Sequence, residues 1–166
     1  MHPTIDQIFD NAEARYLKPE ELQCVTQYVE SLPERLETYR NLRDRELEIM
    51  QWVADQLQSQ LPQENQDSLE RCIKNALLML RYCSMGMLLN DETLVKKRFL
   101  DWVSQAAKVY NTEKIDHLLH RLLNQRLTEV LGASQMRHLT PMLKLVYSAQ
   151  SSPTATESVN GAAIGW

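Results

Sequence analysis

Three cysteines are the side chains of this 166-residue sequence best suited to covalent chemistry: Cys24, Cys72 and Cys83. Their number is odd, and their spacing is not that of a metal site. Cys72 and Cys83 fall in one predicted helix, where a rise of about 1.5 Å per residue places their Cα atoms roughly 16 Å apart, too far for a disulfide. The cysteine pattern therefore fits a reducing compartment.

The histidines offer a weaker chemical signal. His117 and His120 lie three residues apart on a predicted amphipathic helix, near Glu113 and Asp116. A zinc helix prefers an i, i+4 pair with a third ligand, and a haem protein needs a proximal histidine in an apolar pocket. We interpret both side chains as part of a solvated helix face. With no catalytic triad order and no glycine-rich phosphate loop, the sequence predicts no metal site, no catalytic residues and no enzyme.

Composition and charge exclude further classes. The chain is 43% hydrophobic and 24% charged, with a net charge of −4. Basic and acidic residues are interleaved, so no basic patch for nucleic acid is predicted. The start, MHPTIDQIFD, lacks the features of a signal peptide. The longest apolar stretch, 76–89, is interrupted by Arg81 and is too short to span a bilayer. We expect a cytoplasmic protein whose membrane association is at most peripheral.

Start and stop signals divide the chain into helices, and no segment has the alternation of a strand. Capping boxes are predicted at Thr4 with Gln7 and at Ser31 with Glu34, and Pro19 opens a helix between them. The five longer helices are predicted at roughly 33–61, 68–89, 92–109, 113–131 and 134–149. The second of these is expected to be capped by Asp67 and closed by Asn90 and Asp91, and Gly132 to end the fourth.

Cys72 stands near the start of the most apolar helix, 68–89, and shares one face with Asn75, Met79 and Tyr82. From the sequence alone, a buried small residue is the simplest interpretation of Cys72. A chemical role would require an accessible sulfur, and the helix N-terminus would then favour its thiolate. Cys83, deeper in the apolar run, is predicted to be inert.

Three sequence blocks resemble one known family. AEARYLKPEEL (12–22) resembles the segment joining the first two helices of allophycocyanin and phycocyanin subunits, and RELEIMQWVADQL (45–57) resembles their next long helix. CIKNALLMLRYCSMGMLLND (72–91) resembles their chromophore-bearing helix. The resemblance to phycobiliproteins implies an all-α, globin-like helical bundle as one domain over 1–149, with an N-terminal helical hairpin over 4–30. Residues 150–166 are expected to form a disordered tail.

The resemblance also implies a cofactor. Family members attach a bilin, such as phycocyanobilin, through a thioether at the position of Cys72. Lys74 stands where an arginine holds a propionate, and Asn75 where an aspartate binds the pyrrole nitrogens. Tyr82, on the same helix face, completes the expected bilin contacts. Trp102 replaces a family glycine, and its bulk could fill the pocket, so a bilin-bearing and a chromophore-free chain both remain open.

Subunit association is implied as well. Family hairpins pack on a second subunit, since the hairpin cannot bury its apolar face on its own body. The expected interface residues are Asn11, Arg15, Tyr16 and Arg81, with Asn11 in place of a family aspartate whose arginine partner corresponds to Arg81. The partner would be a second copy of the chain, as a dimer, or another phycobiliprotein-type subunit. Phycobilisome or photosystem components at the cytoplasmic face of the thylakoid membrane are further expected partners.

Three functions follow as hypotheses. The first is a light-harvesting subunit of the phycobilisome that holds a bilin on Cys72. The second is a chromophore-free relative that acts in assembly or regulation of the photosynthetic apparatus. The third is a binder or sensor of free bilin.

Overall fold

The computed structural model describes residues 2–100 and 112–151, and within them every regular element is helical. The predicted all-α fold is therefore confirmed. The elements are α1 (Pro3–Asn11), α2 (Pro19–Gln60), α3 (Gln66–Leu89), α4 (Glu92–Val95), which runs on as a π-helical turn (Lys96–Leu100), and α5 (Glu113–Ser151).

Helix α1 folds back against the start of α2. It buries Ile5 and Ile8 there, and the His2 ring lies 6.0 Å from the Tyr28 ring. The predicted cap at Thr4 is wrong by two residues, because the His2 Nδ1 atom accepts the Thr4 N–H at 3.2 Å. Among the described elements, α1 packs on α2 alone. The two helices thus form a projecting hairpin, and we call residues 3–32 the arm.

Helix α2 does not divide where a second capping box was predicted. It continues for 42 residues through Ser31 and Pro33, and the Ser31 hydroxyl donates to the Tyr28 carbonyl instead of capping a new helix. The hairpin expected over 4–30 is therefore α1 plus the first part of one long helix. At its start, Pro19 opens α2 as predicted, and the Glu21 carboxylate accepts the Lys18 N–H at 2.8 Å.

Helix α3 closely matches its prediction, although Asn65, and not Asp67, caps its start by accepting the Asp67 N–H. At its end, Asn90 adopts a left-handed conformation with φ of 51°, and the Asp91 N–H donates to the Gly86 carbonyl at 2.8 Å. The Asp91 side chain then caps α4 by accepting the Thr93 N–H. This ending, predicted from Asn90 and Asp91, is confirmed.

The core forms where α3 lies between α2, α4 and α5. By length and composition α3 could cross a membrane, but it serves here as the central helix of the bundle. Gly86 permits a close approach of α3 to its neighbours in this core. A Cβ at that position would lie 2.7 Å from Val95 Cγ2 and 3.2 Å from the Met142 sulfur. Any larger side chain would push α3 away from its neighbours.

The last two predicted helices are joined through a kink. Gly132 has φ of 69° and ψ of 173° inside α5, a conformation that glycine adopts without steric cost. Its predicted role as a break is therefore confirmed. The second half of the helix predicted over 92–109, together with Trp102, lies outside the described residues, as does the tail from 152 onward.

Candidate functional site

Cys72 lies in the second turn of α3 with its side chain turned into the bundle. Only 1% of the residue is exposed. Its thiol lies beside the side chains of Thr112 and Asp116, at the start of α5. The Thr112 hydroxyl donates in turn to an Asp116 carboxylate oxygen at 2.7 Å. These three side chains form a small polar cluster that joins the start of α3 to the start of α5.

Burial raises the pKa of the Cys72 thiol to about 12, and the negative charge of Asp116 contributes in the same direction. The accessible, thiolate-favouring position that a chemical role would require is therefore not what the structure shows. Desolvation of the thiolate outweighs the helix N-terminus and the nearby Arg71. Cys83 is also buried, which raises its pKa to about 12, in keeping with its predicted inertness.

The other predicted bilin contacts do not converge on Cys72. Lys74 is exposed and faces Glu70, with 3.8 Å between the ammonium nitrogen and the nearest carboxylate oxygen. Asn75 is half-buried one turn after Cys72. Tyr82 lies ten residues after Cys72 along α3, and its ring centroid is 6.3 Å from that of Phe99. The position of Thr112 and Asp116 beside Cys72 was not predicted, although their four-residue spacing at a helix start was an available signal.

A surface cleft of about 270 Å³ opens between α2 and α3, away from Cys72. Arg81 lies at this cleft and forms a two-pronged ion pair with Glu46, with N–O distances of 2.8 and 2.6 Å. Arg81, an expected interface residue, is thus paired within the chain, and its side chain is 55% exposed. The lining includes Tyr39, Leu42, Arg43, Glu46, Leu80 and Arg81.

The remaining predicted interface residues lie on the arm. Asn11 is exposed at the end of α1, and Tyr16, in the loop before α2, is 97% exposed. Arg15 forms a two-pronged ion pair with Glu21, at 2.9 and 2.8 Å, and so fixes the loop that connects the two helices. The hydrogen bond from the Arg15 guanidinium to Glu21, together with that from the Lys18 N–H, lowers the pKa of the Glu21 carboxyl group to about 2.

The two histidines differ in environment. His117 is exposed, as predicted, but His120 is partly buried, and its ring centroid lies 4.6 Å from that of Tyr147. Its placement on a solvated face was therefore wrong, because α5 turns this position towards the core. Burial lowers the pKa of His120 to about 4. Within residues 2–100 and 112–151, no group of three or more His, Cys, Asp or Glu side chains is arranged to hold a metal ion.

The hairpin arm, the helical bundle and a central helix with a cysteine near its start define a globin-like chain of the phycobiliprotein type. The family model for the phycobilisome protein matches residues 8–116, and the chain belongs to this family. A search among curated proteins gave no match. Members of the family are light-harvesting proteins rather than enzymes, and they assemble with other phycobiliprotein subunits.

The family implies a bilin, so the fit of the residues around Cys72 matters. A bilin attached there would need an exposed sulfur and a neighbouring wall of polar contacts. In this arrangement the sulfur is enclosed beside Thr112 and Asp116, and Lys74 points to Glu70 at the surface. The arrangement of these side chains does not fit an attached bilin.

Proposed function

We propose that this chain is a chromophore-free phycobilisome-type subunit that acts in the assembly of the light-harvesting apparatus at the cytoplasmic face of the thylakoid membrane. Membership of the family supports the phycobiliprotein-like role. The observation that carries the finer proposal is the enclosed thiol of Cys72, which is 1% exposed and lies beside Thr112 and Asp116 inside the bundle. In this proposal Cys72 is a structural residue that ties α3 to α5.

The test is the colour of protein purified from its native host. We expect no covalent pigment, and hence no zinc-induced fluorescence of the denatured band on a gel. A known bilin-bearing subunit run beside it provides the positive control. A fluorescent band that disappears in Cys72→Ala would contradict the proposal. A pigment extracted by acid acetone, with no cysteine modified, would point instead to a binder of free bilin.

The partner in this proposal is a phycobiliprotein-type chain, a second copy included, that covers the arm. Large apolar side chains project from the arm into solvent, with Phe9, Leu22 and Val29 each half-exposed or more. Their exposure is costly for an isolated chain, and such patches mark protein–protein contacts. Tyr16, at the tip of the arm, adds an aromatic anchor of the kind enriched at interfaces.

Association is tested by sedimentation at micromolar concentration. We expect Val29→Asp to weaken pairing and the deletion of residues 1–30 to abolish it. Leu47→Asp is the matched control, because Leu47 is 80% exposed on α2 but lies outside the arm. A full-length chain that sediments as a monomer, alone and when mixed with phycobiliprotein subunits, would contradict the role of the arm.

A second candidate function is a light-harvesting subunit with a bilin on Cys72, and the position of Cys72 within the matched family region favours it. Attachment would require the Thr112–Asp116 turn to move and free the sulfur. Co-expression with a bilin and a lyase would then give a fluorescent band. The band should be lost in Cys72→Ala and kept in Cys24→Ala and Cys83→Ala.

A further inference from the structure

Pro33 lies inside α2, where the arm meets the helical bundle. Proline has no N–H to donate to the carbonyl four residues earlier, which is that of Val29, and its ring crowds the same turn. An interior proline is a common cause of helix kinks. Helix α2 nevertheless continues from Pro19 to Gln60. Contacts beyond the helical hydrogen-bond ladder must therefore support this turn.

Arg35 supplies contacts to the turn before the proline. The Arg35 Nε–H donates to the Ser31 hydroxyl at 3.2 Å, and an Nη2–H donates to the Tyr28 carbonyl at 2.9 Å. The guanidinium carbon also lies 4.7 Å from the centroid of the Tyr28 ring, a cation–π distance. The Arg35 side chain thus extends past Pro33 and binds the last turn of the arm.

The same guanidinium also reaches the bundle. Its Nη1–H donates to the carbonyl of Leu88, in the last turn of α3. Carbonyls in the last turn of a helix lack intrahelical donors and carry partial negative charge, which suits a cation. Only 2% of Arg35 is exposed. The buried, planar and permanently charged guanidinium of Arg35 therefore connects the arm to α3.

We propose that Arg35 is the positioning residue of the arm: it splints α2 across Pro33 and sets the direction in which the arm leaves the bundle. The consequence for pairing rests on the proposed function, in which the arm docks on a partner. The splint itself concerns one chain only. It predicts that Arg35 matters for arm direction because Pro33 interrupts the helix, and matters much less once the missing N–H is restored.

The experiment measures the arm directly by pulsed EPR. Spin labels are placed on the exposed Cys24 and on Gln58→Cys, which lie on either side of Pro33, while Cys72 and Cys83 are buried. Their separation of 34 residues along the chain corresponds to about 51 Å of straight helix. Labelled protein is diluted with unlabelled protein so that distances within one chain dominate. We expect a single narrow peak near this distance.

Arg35→Met should replace the narrow peak with a broad distribution that extends to shorter distances. Adding Pro33→Ala should restore the narrow peak, because the alanine N–H can donate to the Val29 carbonyl. Arg40→Met is the control, since Arg40 is exposed and faces Glu37 at 3.9 Å. If Arg35→Met does not fold alone, the double variant should still fold.

An unchanged narrow peak in Arg35→Met would overturn the splint, and so would equal broadening with and without Pro33→Ala. A double variant that fails to fold would overturn it as well, because Arg35 would then support the fold as a whole. Sedimentation of the same variants is read separately. If the EPR distances change as expected but the sedimentation shows unaltered pairing, Arg35 still supports α2 across Pro33, and the docking role of the arm is refuted.

Discussion

The reactivity of Cys72 distinguishes the two candidate functions, and the expected reaction rate of its thiol follows from the structure. With a pKa of about 12, a fraction on the order of 10⁻⁴ of this thiol is ionised at pH 8, whereas an ordinary thiol with a pKa near 8.5 is about one-quarter ionised. The ratio is on the order of 10³. A more basic thiolate is a better nucleophile, which raises the rate of the ionised form roughly 30-fold. The net reaction of Cys72 is therefore expected to be about 10²-fold slower than that of an ordinary thiol. Burial slows it further.

The assay is the reaction of the native protein with an aromatic disulfide reagent at pH 8. We expect one fast thiol, assigned to the exposed Cys24 by its loss in Cys24→Ala, and two slow thiols. All three should react at once after unfolding in guanidinium. Asp116→Asn should speed the slow phase that belongs to Cys72, because the carboxylate no longer opposes the thiolate. The slow phase of Cys83 should not change and serves as the internal control.

A second fast thiol, within about ten-fold of Cys24 and lost in Cys72→Ala, would refute the reasoning, since it exceeds the roughly 10²-fold retardation derived from ionisation. It would mean that the sulfur is accessible and readily ionised, and it would favour the pigment-bearing function. A slow Cys72 that is unaffected by Asp116→Asn would mean that burial alone suppresses the thiolate.

Three further predictions concern stability and are checked by urea unfolding. Gly86→Ala should destabilise the fold by about 1 kcal/mol, because overpacking at a cost of about 1–3 kcal/mol exceeds the helix-propensity gain of about 1 kcal/mol. Combining it with Val95→Ala should cost less than the sum of the two, and strict additivity would exclude the predicted steric clash. Arg81→Ala should cost under about 1 kcal/mol, since its ion pair is exposed, and a loss several times larger would place it in the core after all. The hydrogen bond from Ser134 and then the neighbouring His138 lower the pKa of Glu34 to about 2, so its contribution to stability should be present above its unfolded pKa of about 4.3 and lost as the pH falls towards 2. Glu34→Gln should flatten this acid limb, and an unchanged limb would show that other carboxyl groups govern it.

The sequence by itself determined the helical character of the chain and several of its boundaries. Pro19, Asn90 and Gly132 mark ends or breaks that depend on local backbone chemistry, and each stands where it was predicted. The family could also be recognised, because three sequence blocks that resemble it occur in order along the chain. These features are local, since they depend on residues within a few turns of one another.

Tertiary structure decided the features that depend on distant neighbours. The capping pattern at Ser31 and Pro33 resembles a helix start, yet α2 continues through it, and Arg35 joins this turn to Leu88, 53 residues away along the chain. Likewise, the helix start around Cys72 favours a thiolate, but the packing of α5 encloses the sulfur beside Asp116. Desolvation and long-range hydrogen bonds outweigh local propensity at both places, and their partners can be identified only once the chain has folded.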